Sequence, residues 1–85
     1  MHAHAGGVIS NGSTVTVGTG ITFSAGVAVA DECGVIEALG MAFTNGVTGP
    51  NYKVSLNGVI NTNGGGPNFF PGSTAGSSST GGQYA

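Results

Sequence analysis

The side chains best suited to bind a metal ion are two histidines near the start of the chain, His2 and His4. One alanine separates them, so in an extended segment both imidazoles point to the same side. Imidazole nitrogens bind zinc and related ions, and three copies in a trimer would place six such nitrogens around one axis. However, no carboxylate lies close in the sequence to support them, and a pair so near a chain end is typically solvated. The single chain is therefore expected to bind no metal and no cofactor, and the sequence leaves metal binding by an oligomer open.

The remaining reactive side chains do not form a catalytic pattern. Cys33 follows Asp31 and Glu32, with no basic residue nearby to activate it, which favours a small buried or half-buried residue. A Ser-His-Asp site needs a histidine held in a core, yet both histidines lie in the first four residues. The three acidic residues, which include Glu37, lack the alternating oxygen ligands of a calcium loop. We therefore expect no catalytic residues and no enzyme activity.

The composition excludes two classes of partner. Lys53 is the only lysine or arginine, whereas binding to phosphate backbones or to anionic lipid needs several. No apolar run approaches the ~20 residues that span a bilayer. Residues 1–7 lack the pattern of a signal peptide, and a lone cysteine cannot form an intramolecular disulfide. The sequence predicts no nucleic-acid or membrane partner and synthesis in a reducing cytoplasm.

The same composition predicts a folded chain that associates with itself. Glycine, serine, threonine and asparagine occupy 42 of the 85 positions, charged residues make up 5% and hydrophobic residues 39%. Disorder usually combines low hydrophobicity with high net charge, which is not the case here. A neutral polar surface does little to repel copies of itself, and a chain this short buries a limited core. We therefore expect a homo-oligomer.

Asn-Gly dipeptides occur three times between β-prone runs, at positions 11–12, 45–46 and 57–58. Asn-Gly suits the type I′ turn of a hairpin because both residues tolerate positive φ. The runs beside these turns alternate large or apolar with small or polar residues, as half-buried strands do. They are 8–10, 14–17, 21–24, 26–30, 52–56 and 59–62. Short antiparallel strands and hairpins are the result that this pattern predicts.

The segment 31–43 is open to two interpretations. Asp31 could cap a short helix that contains Glu37, Ala38 and Leu39. As a strand, the segment alternates large with small residues and ends at an Asn-Gly turn, and its two glycines would weaken a helix by roughly 1 kcal/mol each. We favour the strand.

The chain divides into three parts by composition. Residues 1–7 are expected to be a flexible N-terminus, residues 8–62 a β-rich domain, and residues 63–85 a Gly/Ser-rich extended C-terminal arm. Phe69, Phe70 and Tyr84 interrupt this arm, and a large apolar side chain gains ~1.5–3 kcal/mol when it finds a pocket. These three aromatics are the candidate partner-binding residues.

The C-terminal part also resembles a known class of protein. The run Gly-Gly-Gly-Pro-Asn-Phe-Phe-Pro-Gly-Ser-Thr-Ala-Gly at 64–76, with Thr-Gly-Gly-Gln-Tyr-Ala at 80–85, is similar to the endings of small Gly/Asn-rich structural proteins of tailed bacteriophages. This resemblance covers about a quarter of the chain and implies a virion component of the head decoration or cement type. Such proteins are commonly β-rich trimers docked on a shell, so the implied partners are the chain itself and the phage major capsid protein or another virion protein.

These observations together predict an all-β fold. The expected architecture is a small sandwich or barrel-like domain of antiparallel hairpins, completed by oligomerisation, with the extended arm. The expected function is non-enzymatic: a homotrimer that decorates and cements a phage capsid, located in the virion after assembly in the host cytoplasm. The alternative is a tail-fibre or adhesin-like module whose polar surface recognises a host glycan.

Overall fold

The computed structural model describes residues 1–10, 12–16 and 20–85, and the regular structure in these residues consists of short β-strands. The strands are β1 (His2–Ala3), β2 (Val8–Ser10), β3 (Thr14–Val15), β4 (Ala28–Ala30), β5 (Val35–Glu37), β6 (Ala42–Phe43), β7 (Tyr52–Val54), β8 (Val59–Asn61), β9 (Ser77–Ser78) and β10 (Gln83–Tyr84). No helix within the described ranges is long and apolar enough to cross a membrane. The prediction of an all-β chain is confirmed.

The strands pair in parallel and form three sheets. Two sheets have four strands each, in the orders β1-β4-β7-β9 and β10-β8-β5-β2, and the third contains β3 and β6. Every pairing between these named strands is parallel. Consecutive strands lie in different sheets, so the chain winds round a common core like the coils of a solenoid. The first coil carries β1, β2 and β3, the second β4, β5 and β6, the third β7 and β8, and the fourth β9 and β10.

The prediction of antiparallel hairpins in a sandwich is therefore wrong. A type I′ turn needs positive φ at both of its central residues, but around the third Asn-Gly the positive pair is Leu56 (φ 50°) and Asn57 (φ 60°), one residue earlier. This conformation turns the chain from β7 into β8 of a different sheet, where it forms a corner of the coil. Near the second Asn-Gly, β6 pairs with β3 rather than with a following strand.

The first predicted hairpin fails for the same topological reason. Its turn residue Asn11 and its last predicted strand residue Val17 lie outside the described residues. Its two strands are described, and β2 pairs with β5 whereas β3 pairs with β6. Both strands therefore have partners in the next coil instead of in each other.

One corner recurs between the two large sheets. Each copy has two residues with positive φ, and the pairs are Ala5-Gly6, Glu32-Cys33, Leu56-Asn57 and Thr80-Gly81. A glycine follows each pair, and in the first three copies this glycine begins the triplet Gly-Val-Ile, at 7–9, 34–36 and 58–60. The spacing of the triplets, 27 residues (34 minus 7) and then 24 (58 minus 34), equals the offset of the paired strands. The triplet is thus the sequence mark of the coil, which our sequence analysis missed.

Close contact between coils explains the glycine in this corner. A Cβ atom on Gly58 would lie 2.5 Å from the carbonyl oxygen of Ala30, one coil earlier, and a Cβ on Gly34 would overlap the carbonyl of Ala3 in the same way. Real Cβ atoms do not approach a backbone this closely, so the stacked corners need a residue without a side chain.

The core consists of aligned rows of small and branched side chains. Ile36 pairs in register with Ile60, and Ala30 with Val54, and all four are fully buried. Parallel pairing places equivalent residues of successive coils over one another, so the interior is filled row by row. The aromatic side chain of Phe70 also belongs to this core and is 1% exposed.

The segment 31–43 is a strand only in part. It contains β5 and β6, separated by a second corner at Leu39 and Gly40, where Gly40 has φ 73°. Ile36 and Ala38 are buried as the alternation requires, but Leu39 is exposed and Met41 is buried again, because the corner changes the direction of the chain. The described residues of this segment form no helix.

The two terminal segments that we predicted to lie outside the β-rich domain, residues 1–7 and 63–85, both contain strands. Within residues 1–7, β1 pairs with β4, and the terminal amine donates a hydrogen bond to the carbonyl of Val27 at 2.9 Å. Within residues 63–85, β9 pairs with β7, and β10 pairs with β8. The structure does not confirm an extended C-terminal arm, because it places this segment on the preceding coil.

Candidate functional site

The strand register brings three titratable side chains together at the first corner. His2 lies in β1, His4 follows this strand, and Asp31 follows β4. Since Ala3 pairs with Ala30, the positions after them, 4 and 31, are neighbours in adjacent coils. Here the fold supplies the carboxylate that we did not find near the histidines in the sequence.

The contacts within this histidine–aspartate cluster are short. Nδ1 of His4 lies 2.5 Å from Oδ1 of Asp31, and Nε2 of His2 lies 3.3 and 3.2 Å from the two oxygens of the same carboxylate. The imidazole rings meet edge to face, with centroids 5.5 Å apart. The side chains of His2, His4 and Asp31 are 54%, 51% and 22% exposed, so the cluster is open to solvent.

Each partner changes the titration of the other. The hydrogen bond to Asp31, followed by the charge of Glu32, raises the pKa of His4 above its ordinary value of 6.5. The hydrogen bond from His4 is the largest cause that lowers the pKa of Asp31 below 3.8. Both shifts favour the ion pair of imidazolium and carboxylate.

We expect the contribution of this ion pair to stability to be largest between about pH 4 and 6.5. His4 has a raised pKa in the folded state, so its contribution is complete below 6.5 and is lost as the pH rises through the folded pKa. Asp31 has a lowered pKa, so its contribution is complete above 3.8 and is lost as the pH falls through the folded value. Thermal unfolding between pH 3 and 9 at low salt measures this profile, and the effect is small because the pair is exposed.

The variant His4→Gln serves as the control for this profile. Glutamine keeps a hydrogen-bonding side chain but carries no charge at any of these pH values. The loss of stability above pH 6.5 should then diminish, and an unchanged profile in His4→Gln would show that another group causes it.

The predicted aromatic residues contact their own chain. Phe70 and Phe69 pack on Phe43, with ring centroids 5.7 and 6.1 Å apart. Tyr84 stacks on Tyr52 at 3.7 Å and donates a hydrogen bond to the carbonyl of Gly66 at 2.7 Å. Burial raises the pKa of Tyr84. A role of these aromatics in binding a partner stays a prediction, and in the single chain they hold residues 63–85 to the coils.

Two further features concern side chains that could react or bind. Cys33 is exposed. The expectation of a buried or half-buried residue is wrong, because Cys33 occupies a left-handed corner position outside the core. A separate cavity of about 220 Å³ has only apolar side chains in its lining. These residues are Met1, Val15, Phe23, Val27, Met41 and Phe43. The cavity therefore offers apolar contact but no arrangement of acids, bases or nucleophiles.

Within residues 1–10, 12–16 and 20–85, the histidine–aspartate cluster is the arrangement of side chains best suited to bind a ligand. Its three ligand atoms lie within 4.8 Å of one another, and it is the one group found in those residues whose side chains could together hold a metal ion. Sequence reasoning identified its two histidines but not Asp31, although the Gly-Val-Ile spacing of 27 residues would have placed position 31 beside position 4. No family model matches the chain, and no match was found among curated proteins or solved structures.

Proposed function

We propose that this chain is a non-enzymatic structural protein of a virion, which assembles as a homotrimer and decorates and cements a phage capsid. The observation that supports the proposal best is the state of the strand edges at the two ends of the coil. The resemblance of residues 64–76 and 80–85 to the endings of phage structural proteins supports the choice of a virion.

The two large sheets end in strands that, among the described residues, have no strand paired to their outer edges. β1 and β9 are the outermost strands of one sheet, and β2 and β10 are those of the other. Within the described part of the chain, each of these four strands pairs with a strand on one side only. An uncovered edge presents unpaired backbone donors and acceptors, onto which a strand of another chain can add.

The edges formed by β2 and β10 also lack the charges that usually prevent such pairing. Soluble proteins commonly protect an edge with lysine, proline or an inward-pointing charge. β2 reads Val-Ile-Ser and β10 reads Gln-Tyr, neither with a formal charge. Val8 in β2 is 66% exposed. Backbone hydrogen bonds and apolar contact would thus hold this protein to its neighbours. Apart from its two histidines, the chain has only four ionisable side chains of the lysine, arginine, aspartate and glutamate types, one basic and three acidic.

The substitution Val8→Lys tests whether the edge of β2 carries the assembly. A lysine on this edge should repel or leave unpaired any strand that adds to it, so the oligomer should dissociate to monomers without loss of the fold. Leu56→Lys is the matched control, because Leu56 is also an exposed apolar residue, at 46%, but lies in a corner between strands. Light scattering after size exclusion measures the mass of each variant.

Two results of this experiment would contradict the proposal. One is a wild-type chain that is a folded monomer at micromolar concentration. The other is a Val8→Lys variant that keeps the mass of the wild-type oligomer.

Electron microscopy of the parent particle with this protein labelled tests the location. Label over the whole shell is the expected result for a decoration protein. Label confined to a tail appendage would overturn this part of the proposal and favour the glycan-binding alternative, which a glycan array would then examine.

A further inference from the structure

We propose that His2, His4 and Asp31 form a binding site for a divalent transition-metal ion of the zinc type, and that the bound ion links the first coil to the second. This inference stands apart from the virion role, because it depends only on the register that places position 4 beside position 31. Two neutral imidazoles and one carboxylate are a donor set that zinc and its neighbours accept.

The ligand atoms lie close to the separation that one ion needs. Tetrahedral zinc, with bonds of about 2.0–2.2 Å to nitrogen and oxygen, holds its ligand atoms about 3.4 Å apart. The Asp31 oxygens lie 3.2 Å from Nε2 of His2 and 2.5 Å from Nδ1 of His4. All three ligand atoms lie within 4.8 Å of one another. The widest pair, at up to 4.8 Å, must therefore close by about 1.4 Å, and His4 and Asp31 must move slightly apart. Rotation of these solvent-accessible side chains allows both movements.

The second nitrogen of His4 supports the same assignment. Histidines that bind a metal through one ring nitrogen commonly donate the N–H of the other to a carboxylate, which orients the ring. While Nδ1 of His4 faces Asp31, its Nε2 lies 3.7 Å from Oε2 of Glu32. Glu32 is therefore a neighbour of this nitrogen, and a small movement of its side chain would bring its carboxylate within hydrogen-bond distance.

The location of Asp31 gives the ion a stabilising effect that the histidine pair alone does not have. His2 and His4 are only two positions apart in the sequence, so they can bind an ion equally well in the folded and unfolded chain. Asp31 is 27 positions beyond His4 and joins them only when β1 pairs with β4. An ion that binds the folded state more tightly raises the melting temperature by mass action.

The test uses untagged protein that carries Cys33→Ser, because the exposed thiol of Cys33 could bind zinc by itself. Titration calorimetry with zinc chloride should give one ion per chain, and excess zinc should raise the melting temperature. Loss of a group that only hydrogen-bonds to a metal ligand lowers the affinity for the metal by ~10–100-fold. Loss of a ligand, in His4→Ala or Asp31→Asn, should cost at least as much and should abolish the rise in melting temperature.

Glu37→Gln is the control, because it removes a carboxylate outside the cluster and should leave both measurements unchanged. Circular dichroism verifies that each variant is folded without zinc. Absence of stoichiometric binding by the Cys33→Ser protein would overturn the proposal. The proposal would also be overturned if Asp31→Asn bound zinc with the affinity of its parent and showed the same rise in melting temperature. The ion would then be held without the link between the two coils.

Discussion

Replacing Phe70 with alanine should lower the free energy of unfolding by about 3–5 kcal/mol, the usual cost of removing a buried phenylalanine. Phe70 is 1% exposed and packs against Phe43, with ring centroids 5.7 Å apart. A domain of this size has a total stability of only about 4–13 kcal/mol, so the variant should be close to unfolding. Urea denaturation monitored by circular dichroism measures the change.

This variant also decides whether residues 63–85 belong to the folded chain or act as an arm. Phe69→Ala is the matched control, because the neighbouring ring is only partly buried and should cost less. If Phe70 served only to anchor an arm on a partner, Phe70→Ala would weaken assembly and leave the stability of the chain unchanged. That result would contradict the fold described here. A chain truncated after Thr62 would not distinguish a folded segment from an arm as clearly, because the truncation removes Phe70 together with β9 and β10.

Replacing Gly58 with alanine should lower the free energy of unfolding by about 1–3 kcal/mol, the usual cost of forcing extra atoms into a packed site. Its Cβ would lie 2.5 Å from the carbonyl oxygen of Ala30, and a backbone oxygen cannot rotate away as a side chain can. The coils would have to separate at this corner. The measurement is the shift in the midpoint of urea denaturation at constant slope.

Gly46→Ala is the control for the corner glycine, because Gly46 also follows an asparagine. A Cβ there would make an ordinary contact of 3.7 Å with the carbonyl oxygen of Pro71. Where the backbone accepts alanine without strain, the change stabilises a protein by ~0.4–1 kcal/mol through the unfolded chain. Equal effects at the two glycines would mean that the coils do not approach each other as described.

The all-β class of the fold and the turn at Asn57 could be predicted from the sequence, whereas the other three corners of the same kind could not. Alternating valine and threonine favour a strand, and asparagine and glycine favour a turn. Both preferences are local, because a residue that tolerates positive φ does so wherever it stands in the chain. Asn57 is the example: it was predicted in a turn with positive φ and has φ 60°. The low charge likewise follows from composition and needs no structure.

The direction of pairing was decided by the tertiary structure. Local preferences at Leu56 and Asn57 are compatible with a hairpin and with a solenoid corner, and the two differ in whether β8 lies beside β7 or beside β5. That choice depends on contacts 24 to 27 residues apart, the offsets at which Val8, Val35 and Val59 pair. Asp31 joined the histidines for the same reason. A carboxylate distant in sequence becomes their neighbour only because the core rows and the bare glycine corners set one coil directly on the next.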